Sequence, residues 1–194
     1  MGHSRAEKAA SRERILEAAA RQIGKNGLES VSVGELMKDA GLTKGAFYGH
    51  FESRDALLAE AVKRAMEQGQ AKIAPLFAGS RKPTLEQLVD AWLNSAHIAS
   101  PTGGCGICSL AGEARYAGPR VQQVIAQQFK TNIKQFVDVL GGTVASTGSQ
   151  ARAILTAIVG AVSVARAVGD PKLARGVVES TRAMILQSNG KSNR

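Results

Sequence analysis

Two short helices separated by a three-residue turn constrain this chain more than any other feature. Residues 30–57 read SVSVGELMKDAGLTKGAFYGHFESRDAL. Ser32 to Glu35 has the S-x-x-E form of a capping box, in which the hydroxyl and the carboxylate each satisfy a free backbone N–H. Leu36, Met37 and Ala40 then recur at helical spacing. Gly41 ends the helix, because a residue without Cβ adopts the left-handed conformation at little cost. Thr43 is placed to cap a second helix, Lys44 to about His50, with Phe47 inward. Two helices at this spacing have helix-turn-helix geometry.

The second helix presents Thr43, Lys44, Gly45, Ala46, Tyr48 and His50 outward. Thr43 and Lys44 suit phosphates or base edges, and Gly45 and Ala46 allow close approach to bases, with the Ala46 methyl against a thymine methyl. Tyr48 and His50 carry polar tips for phosphate oxygens. Ser32 and Ser53–Arg54 stand at helix N-termini, where backbone N–H groups can meet a phosphate. A solvated face in an ordinary bundle satisfies the same spacing, so the residue string itself has to decide.

The string TKGAFYGHFESRDALL closely resembles the T-x-G-x-x-Y-x-H-F-x-S-[KR]-[DE]-x-L signature of tetracycline-repressor-type (TetR family) regulators. The segment Ile15 to Gly41, with Ser32-Val33-Gly34-Glu35-Leu36, fits as well. The resemblance covers the first quarter to third of the chain. It implies an all-α, homodimeric repressor that binds a palindromic double-stranded DNA operator and is released when a small-molecule inducer enters its C-terminal domain.

At 194 residues the chain has room for one small and one medium domain. Scarce aromatics, 4% of residues, with abundant Ala and Gly favour close-packed helices. The expected division is a three-helix DNA-binding domain over 1–52, with 1–10 a flexible arm; a helical ligand-binding and dimerisation domain over 53–187; and a disordered tail over 188–194. The formal charge of +9 suits a polyanionic partner. Residues 1–64, however, hold 11 Lys+Arg against 9 Asp+Glu, so the excess lies outside the proposed reading head.

Helices are expected over 11–25, 53–77, 84–96, 109–116, 119–140, 149–168 and 171–187. Helix 53–77 is a single rod linking head to body. Thr84 to Gln87 forms another capping box, and Gly118-Pro119 and Asp170-Pro171 place proline in a first turn. Ala153, Ala157, Ala161 and Ala165 make a small-residue ridge suited to a dimer interface, or to a seam within one subunit. The apolar run Ala153–Ala165 is too short to span a bilayer. With no secretory signal in MGHSRAEKAASRER, a cytoplasmic protein without a membrane partner is expected.

An inducer pocket is expected among residues 60–165, with Trp92, Phe129 and Phe136 as walls and His97, Asn94, Glu113 and Tyr116 as polar contacts. Each aromatic fits plain core equally well. Cys105 and Cys108 form a C-x-x-C pair at a helix start, where the helix dipole favours thiolate. One reading is a redox or electrophile sensor on the same scaffold; the other is two small packed residues. Two thiols without a second ligand pair do not make a zinc site, so neither metal nor cofactor is expected. With no P-loop, nucleophile elbow or catalytic dyad, the chain reads as no enzyme. A helical interaction protein that does not bind DNA is the alternative from another class.

Overall fold

The computed structural model describes residues 5–79, 81–99 and 106–190, with the side chains at 96, 97 and 190 outside the description. Every regular element among the described residues is helical. Helix α1 (Arg5–Asn26) buries Ile15, Leu16, Ala19, Ala20 and Ile23. A 3-10 turn, Leu28–Ser30, leads to α2 (Val33–Asp39), which buries Leu36 and Met37. Gly41 follows at φ +71, the left-handed stop its lack of Cβ permits. The second helix of the pair is a 3-10 helix, Lys44–Gly49, with Phe47 buried beneath it.

Helix α3 (Arg54–Ile73) starts at Ser53, whose Oγ accepts the Ala56 N–H at 3.1 Å. It lies along α1 through its apolar face and through a row of polar pairs. Arg12 meets Glu60 at 2.6 Å, Arg64 meets Glu13, and Gln68 Nε2 donates to Glu17 at 3.1 Å. The first half of α3 therefore belongs to the head's core. The head–body division expected at residue 52 is not a gap in the chain; it falls along one continuous helix.

The body comprises α4 (Leu85–Leu93), α5 (Ser95–Ala99), α6 (Gly106–Ala114), α7 (Pro119–Leu140), α8 (Val144–Ala167) and α9 (Pro171–Gly190). Helix α7 packs between α3 and α8, and α9 lies against α8 and α4. One apolar core runs without interruption from Ile15 in the head to Ile185 in α9. The Thr84–Gln87 capping box forms with both reciprocal bonds, 2.9 and 3.2 Å. Asp170 Oδ1 accepts the N–H groups of Lys172 and Leu173 and so caps α9.

Several expectations are corrected. The arm expected over 1–10 is helical from Arg5, with residues 1–4 outside the description. The tail expected from 188 is still α9 to Gly190, held by Gln150 Nε2 donating to Asn189 Oδ1 at 2.5 Å. The rod 53–77 gives way at Ile73 to a 3-10 turn, Ala74–Phe77, because Pro75 has no N–H to continue the helical ladder. Helix α6 begins at Gly106 rather than Ser109. Ser32 Oγ accepts the Glu35 N–H at 3.4 Å, but Glu35 is exposed and the return bond of a box does not form. Thr43 precedes its helix without a side-chain cap.

The stretch expected to be a flexible connection before Ser149 is already α8, since Thr143 and Ser146 make a capping box and Gly148 is buried inside the helix. At 24 residues α8 has the length and hydropathy of a bilayer span, against the expectation of a run too short. Its packing between α7 and α9 accounts for that composition. The alanine ridge is divided. Ala161 and Ala165 are buried, Ala157 is half-buried and Ala153 is exposed, so the buried part packs within the chain.

Candidate nucleic-acid interface

The Lys44–Gly49 helix is held from below. Phe47 is buried, stacks on Phe51 with ring centroids 5.7 Å apart, and meets Tyr48 edge-on at 5.3 Å. With Phe47 fixed, the residues beside it are forced outward. Tyr48 is 77% exposed, and Thr43, Lys44 and Gly45 are exposed beside it, with Ala46 half-buried. No Cβ contact crowds Gly45 or Gly49, so this surface is open for close approach. Ser32, at the start of α2, is also exposed.

Other members of the expected set are committed elsewhere. Arg54 Nη2 donates to the Val31 carbonyl at 3.3 Å, which fixes α3 to the turn before α2. Ser53 uses its hydroxyl as a cap. His50 is half-buried, its carbonyl accepts from Arg12 Nε at 3.2 Å, and its Nδ1 is buried with no partner among the described residues. Burial, then the positive charges of Lys8 and Arg12, hold this imidazole below the ordinary value. Arg12 ties the Lys44–Gly49 helix to α3, since it pairs with Glu60 and its guanidinium lies 4.7 Å over the Phe51 ring. No spacing rule points to it, because its partners lie some 40 to 50 residues away.

Head and body meet along a polar seam. The Glu113 carboxylate on α6 accepts the Leu28 N–H at 2.6 Å, directly beyond α1. Gly27 stands there at φ +82, and Glu113 occupies the space that a Cβ at 27 would fill. Arg120, in the first turn of α7, pairs with Glu52 at 3.0 Å and lowers that carboxyl's pKa. The Asp55 carboxylate fills the place of a Cβ at Gly118. Beside the Glu113 contact a cavity of about 690 Å³ opens between α1, α5, α6 and α8, with Lys25 and Arg166 on its walls.

The residues expected around an inducer do not converge on one cavity. Trp92 and Phe136 are buried against each other, 6.3 Å between ring centroids. Phe129 is half-buried on α7. Tyr116 is 74% exposed and lies under the Arg115 guanidinium. Glu113 is a seam residue. The His97 side chain lies outside the described residues, as does Cys105. Cys108 is buried in α6, and its carbonyl accepts from Ser163 Oγ at 2.9 Å. The sequence reading missed Asn132, the one polar residue fully buried among the described residues.

Residues 15–61 match the family described as bacterial regulatory proteins, tetR family. The chain is 40% identical over 52 residues to an uncharacterised HTH-type transcriptional regulator, YdgC, of Bacillus subtilis, covering 27% of each chain. It is 42% identical over 50 residues to the HTH-type transcriptional regulator AcrR of Shigella flexneri, covering 26% of this chain and 23% of that one. These matches therefore span about a quarter of the relatives' length. Among solved structures, a TetR-family regulator from Cytophaga hutchinsonii superposes with TM-score 0.76 at 20% identity, over 96% of this chain and 98% of that one. E. coli NemR in its reduced form gives 0.68 at 19% identity, over 91% and 95%. At such identities the likeness concerns the fold.

Proposed function

We propose that the chain is a TetR-family transcriptional regulator, a dimeric repressor that reads a palindromic operator through Lys44–His50 and is released by a small molecule bound in its body. The observation that carries this reading is the Lys44–Gly49 helix anchored by buried Phe47 while Thr43, Lys44, Gly45 and Tyr48 stand exposed beside it. A bundle protein with no nucleic-acid partner has no need of a helix presented this way.

Dimerisation is supported by an apolar face left uncovered by the described residues. Leu173, Val164 and Met184 on α8 and α9 are 52%, 45% and 54% exposed, with Gly160 and Gly176 also exposed. Two such faces brought together make a four-helix interface, and an operator with two half-sites requires two heads. A cytoplasmic site of action accompanies this reading. Cys108, buried against the core, is read as a packing residue rather than a sensor thiol.

The test is binding to the DNA upstream of the protein's own coding region, at two salt concentrations, with and without a thiol oxidant. Sequence-specific binding that weakens with salt is expected. Lys44→Ala and Tyr48→Phe should each lower operator affinity while leaving thermal unfolding unchanged. A lost phosphate contact should also reduce the salt slope by about one. Full binding by both variants would remove Lys44–His50 from the interface. Release by oxidant would return Cys105 and Cys108 to the sensor role.

A further inference from the structure

The two ends of the Lys44–Gly49 helix are held differently. At its start Thr43 makes no side-chain cap. At its other end the His50 carbonyl, an acceptor of the kind a helix leaves without an internal partner, accepts from Arg12 Nε at 3.2 Å. The same guanidinium donates from Nη2 to both Glu60 carboxylate oxygens, at 2.7 and 2.6 Å. It also lies 4.7 Å over the Phe51 ring. One planar group on α1 thus meets the backbone where the helix ends, the aromatic ring next to it, and a carboxylate on α3.

Phe47 and Arg12 hold the helix in different senses. A buried ring resists being pulled from its pocket, but apolar contact is non-directional and does not set how the helix is turned above it. A hydrogen bond with a preferred angle does. Global stability is not what Arg12 mainly supplies. The Arg12 and Glu60 side chains are 38% and 40% exposed, and a pair at such exposure adds little to folding. The planar fork adds direction.

We propose that Arg12 is a positioning residue for DNA recognition. Held by Glu60 and the Phe51 ring, it fixes the C-terminal end of the Lys44–Gly49 helix, so that Lys44 and Tyr48 meet DNA in one orientation, and it does not itself touch the duplex. The proposal rests on the regulator reading. Charge alone makes the opposite forecast for both members of the pair. A free cation at 12 is replaceable by lysine, and removing the Glu60 carboxylate from the head tightens binding to a polyanion. A brace is not replaceable by lysine, whose ammonium has no planar fork to span the His50 carbonyl and Glu60. Removing Glu60 then weakens recognition, because Arg12 loses the partner that orients it.

The full-length wild-type protein first selects its preferred duplex from a random-sequence library. Affinities for that duplex and for a scrambled one of equal length are then measured across salt for wild type, Arg12→Lys, Arg12→Gln and Glu60→Leu. All three variants should lose about tenfold on the selected duplex, the weight of one misplaced base contact. Arg12→Lys should hold its affinity for the scrambled duplex within about twofold, Glu60→Leu should hold or raise it, and Arg12→Gln should keep the wild-type salt slope. In the free protein the His50 and Phe51 N–H groups, both bonded to the Phe47 carbonyl, should exchange faster in the variants while thermal unfolding is unchanged. A merely structural contact moves unfolding and both duplexes alike.

Full specific affinity in Arg12→Lys, or tighter specific binding by Glu60→Leu, would overturn the positioning role. A salt slope reduced by about one in Arg12→Gln would overturn it too, since that marks a phosphate contact. Those results leave the regulator reading standing. A wild-type protein that selects no sequence strikes the regulator reading and the positioning role together, while faster exchange at His50 and Phe51, measured without DNA, still establishes the brace.

Discussion

The head and the body bury different chemistry. Beneath the Lys44–Gly49 helix the interior is apolar apart from His50 Nδ1: Ile15, Leu36, Met37, Phe47, Phe51 and Leu57 fill it, and other polar groups face outward or tie α1 to α3. At the α3–α7 junction the body instead buries Asn132 and draws three glutamines around it, leaving the Asn132 amide NH2 and Gln135 Oε1 unmatched among the described residues. An apolar interior has one good packing, which suits a surface that must present the same side chains every time. A buried amide network binds its members together and leaves a cost at each unmatched atom, here Asn132 Nδ2 and Gln135 Oε1. Beside the continuous apolar core, single polar contacts also join the two, Glu113 to the Leu28 N–H and Arg120 to Glu52.

The sharpest way to break this comparison is Phe47→Ala. Removing a fully packed ring from the head should cost about 3–5 kcal/mol. Thermal unfolding should show the loss, together with disappearance of operator binding; a cost under about 1 kcal/mol would mean the head is not held from below. Gly27→Ala comes next. With φ +82 and ψ 178 the backbone at 27 is in a region open essentially to glycine, so alanine should cost about 1–3 kcal/mol. The steric part of that cost belongs to Glu113, and the double variant Gly27→Ala/Glu113→Ala should lose less than the sum of the single effects. Exact additivity in that cycle would argue against a seam contact at all.

Glu113→Ala alone should cost about 1 kcal/mol, the net value of the bond to the Leu28 N–H. Its more informative readout is coupling: hydrogen exchange at Leu28 should quicken while the α3–α7 junction is unchanged. The smallest effect concerns acid. In the folded head His50 binds its proton less readily than the ordinary value of 6.5, so between that pH and the folded pKa the unfolded chain holds more protons. Stability therefore falls as pH drops below 6.5. His50→Gln should flatten that part of the pH–stability profile measured by denaturant titration, and an unchanged slope would assign it to other groups.

Local chemistry was legible wherever it acts within a few residues. Gly41 ends α2, Ser53 and Thr84 cap their helices, Asp170-Pro171 opens α9, and Phe47 faces inward while Tyr48 faces out. The same local rules overshot at Thr43 and Glu35, where the pattern of a cap is present and the bond is not. They fell short at Thr143, because a glycine-rich stretch reads as a loop until the capping box before it is counted.

The sequence by itself determined the helical class, the helix-turn-helix and the outward face of Lys44–Gly49, since periodicity, caps and a short signature act over four to seven positions. Only the tertiary structure decided that Arg12 braces Phe51 and Glu60, that Glu113 holds the Leu28 N–H, and that Asn132 is sealed among glutamines. Apart from Gln128, four residues from Asn132, those partners lie roughly 40 to 85 residues apart, and an Asn or a Glu on a helix carries no local mark of burial. Whether it meets water, a backbone N–H or another amide is settled by which helices pack against it.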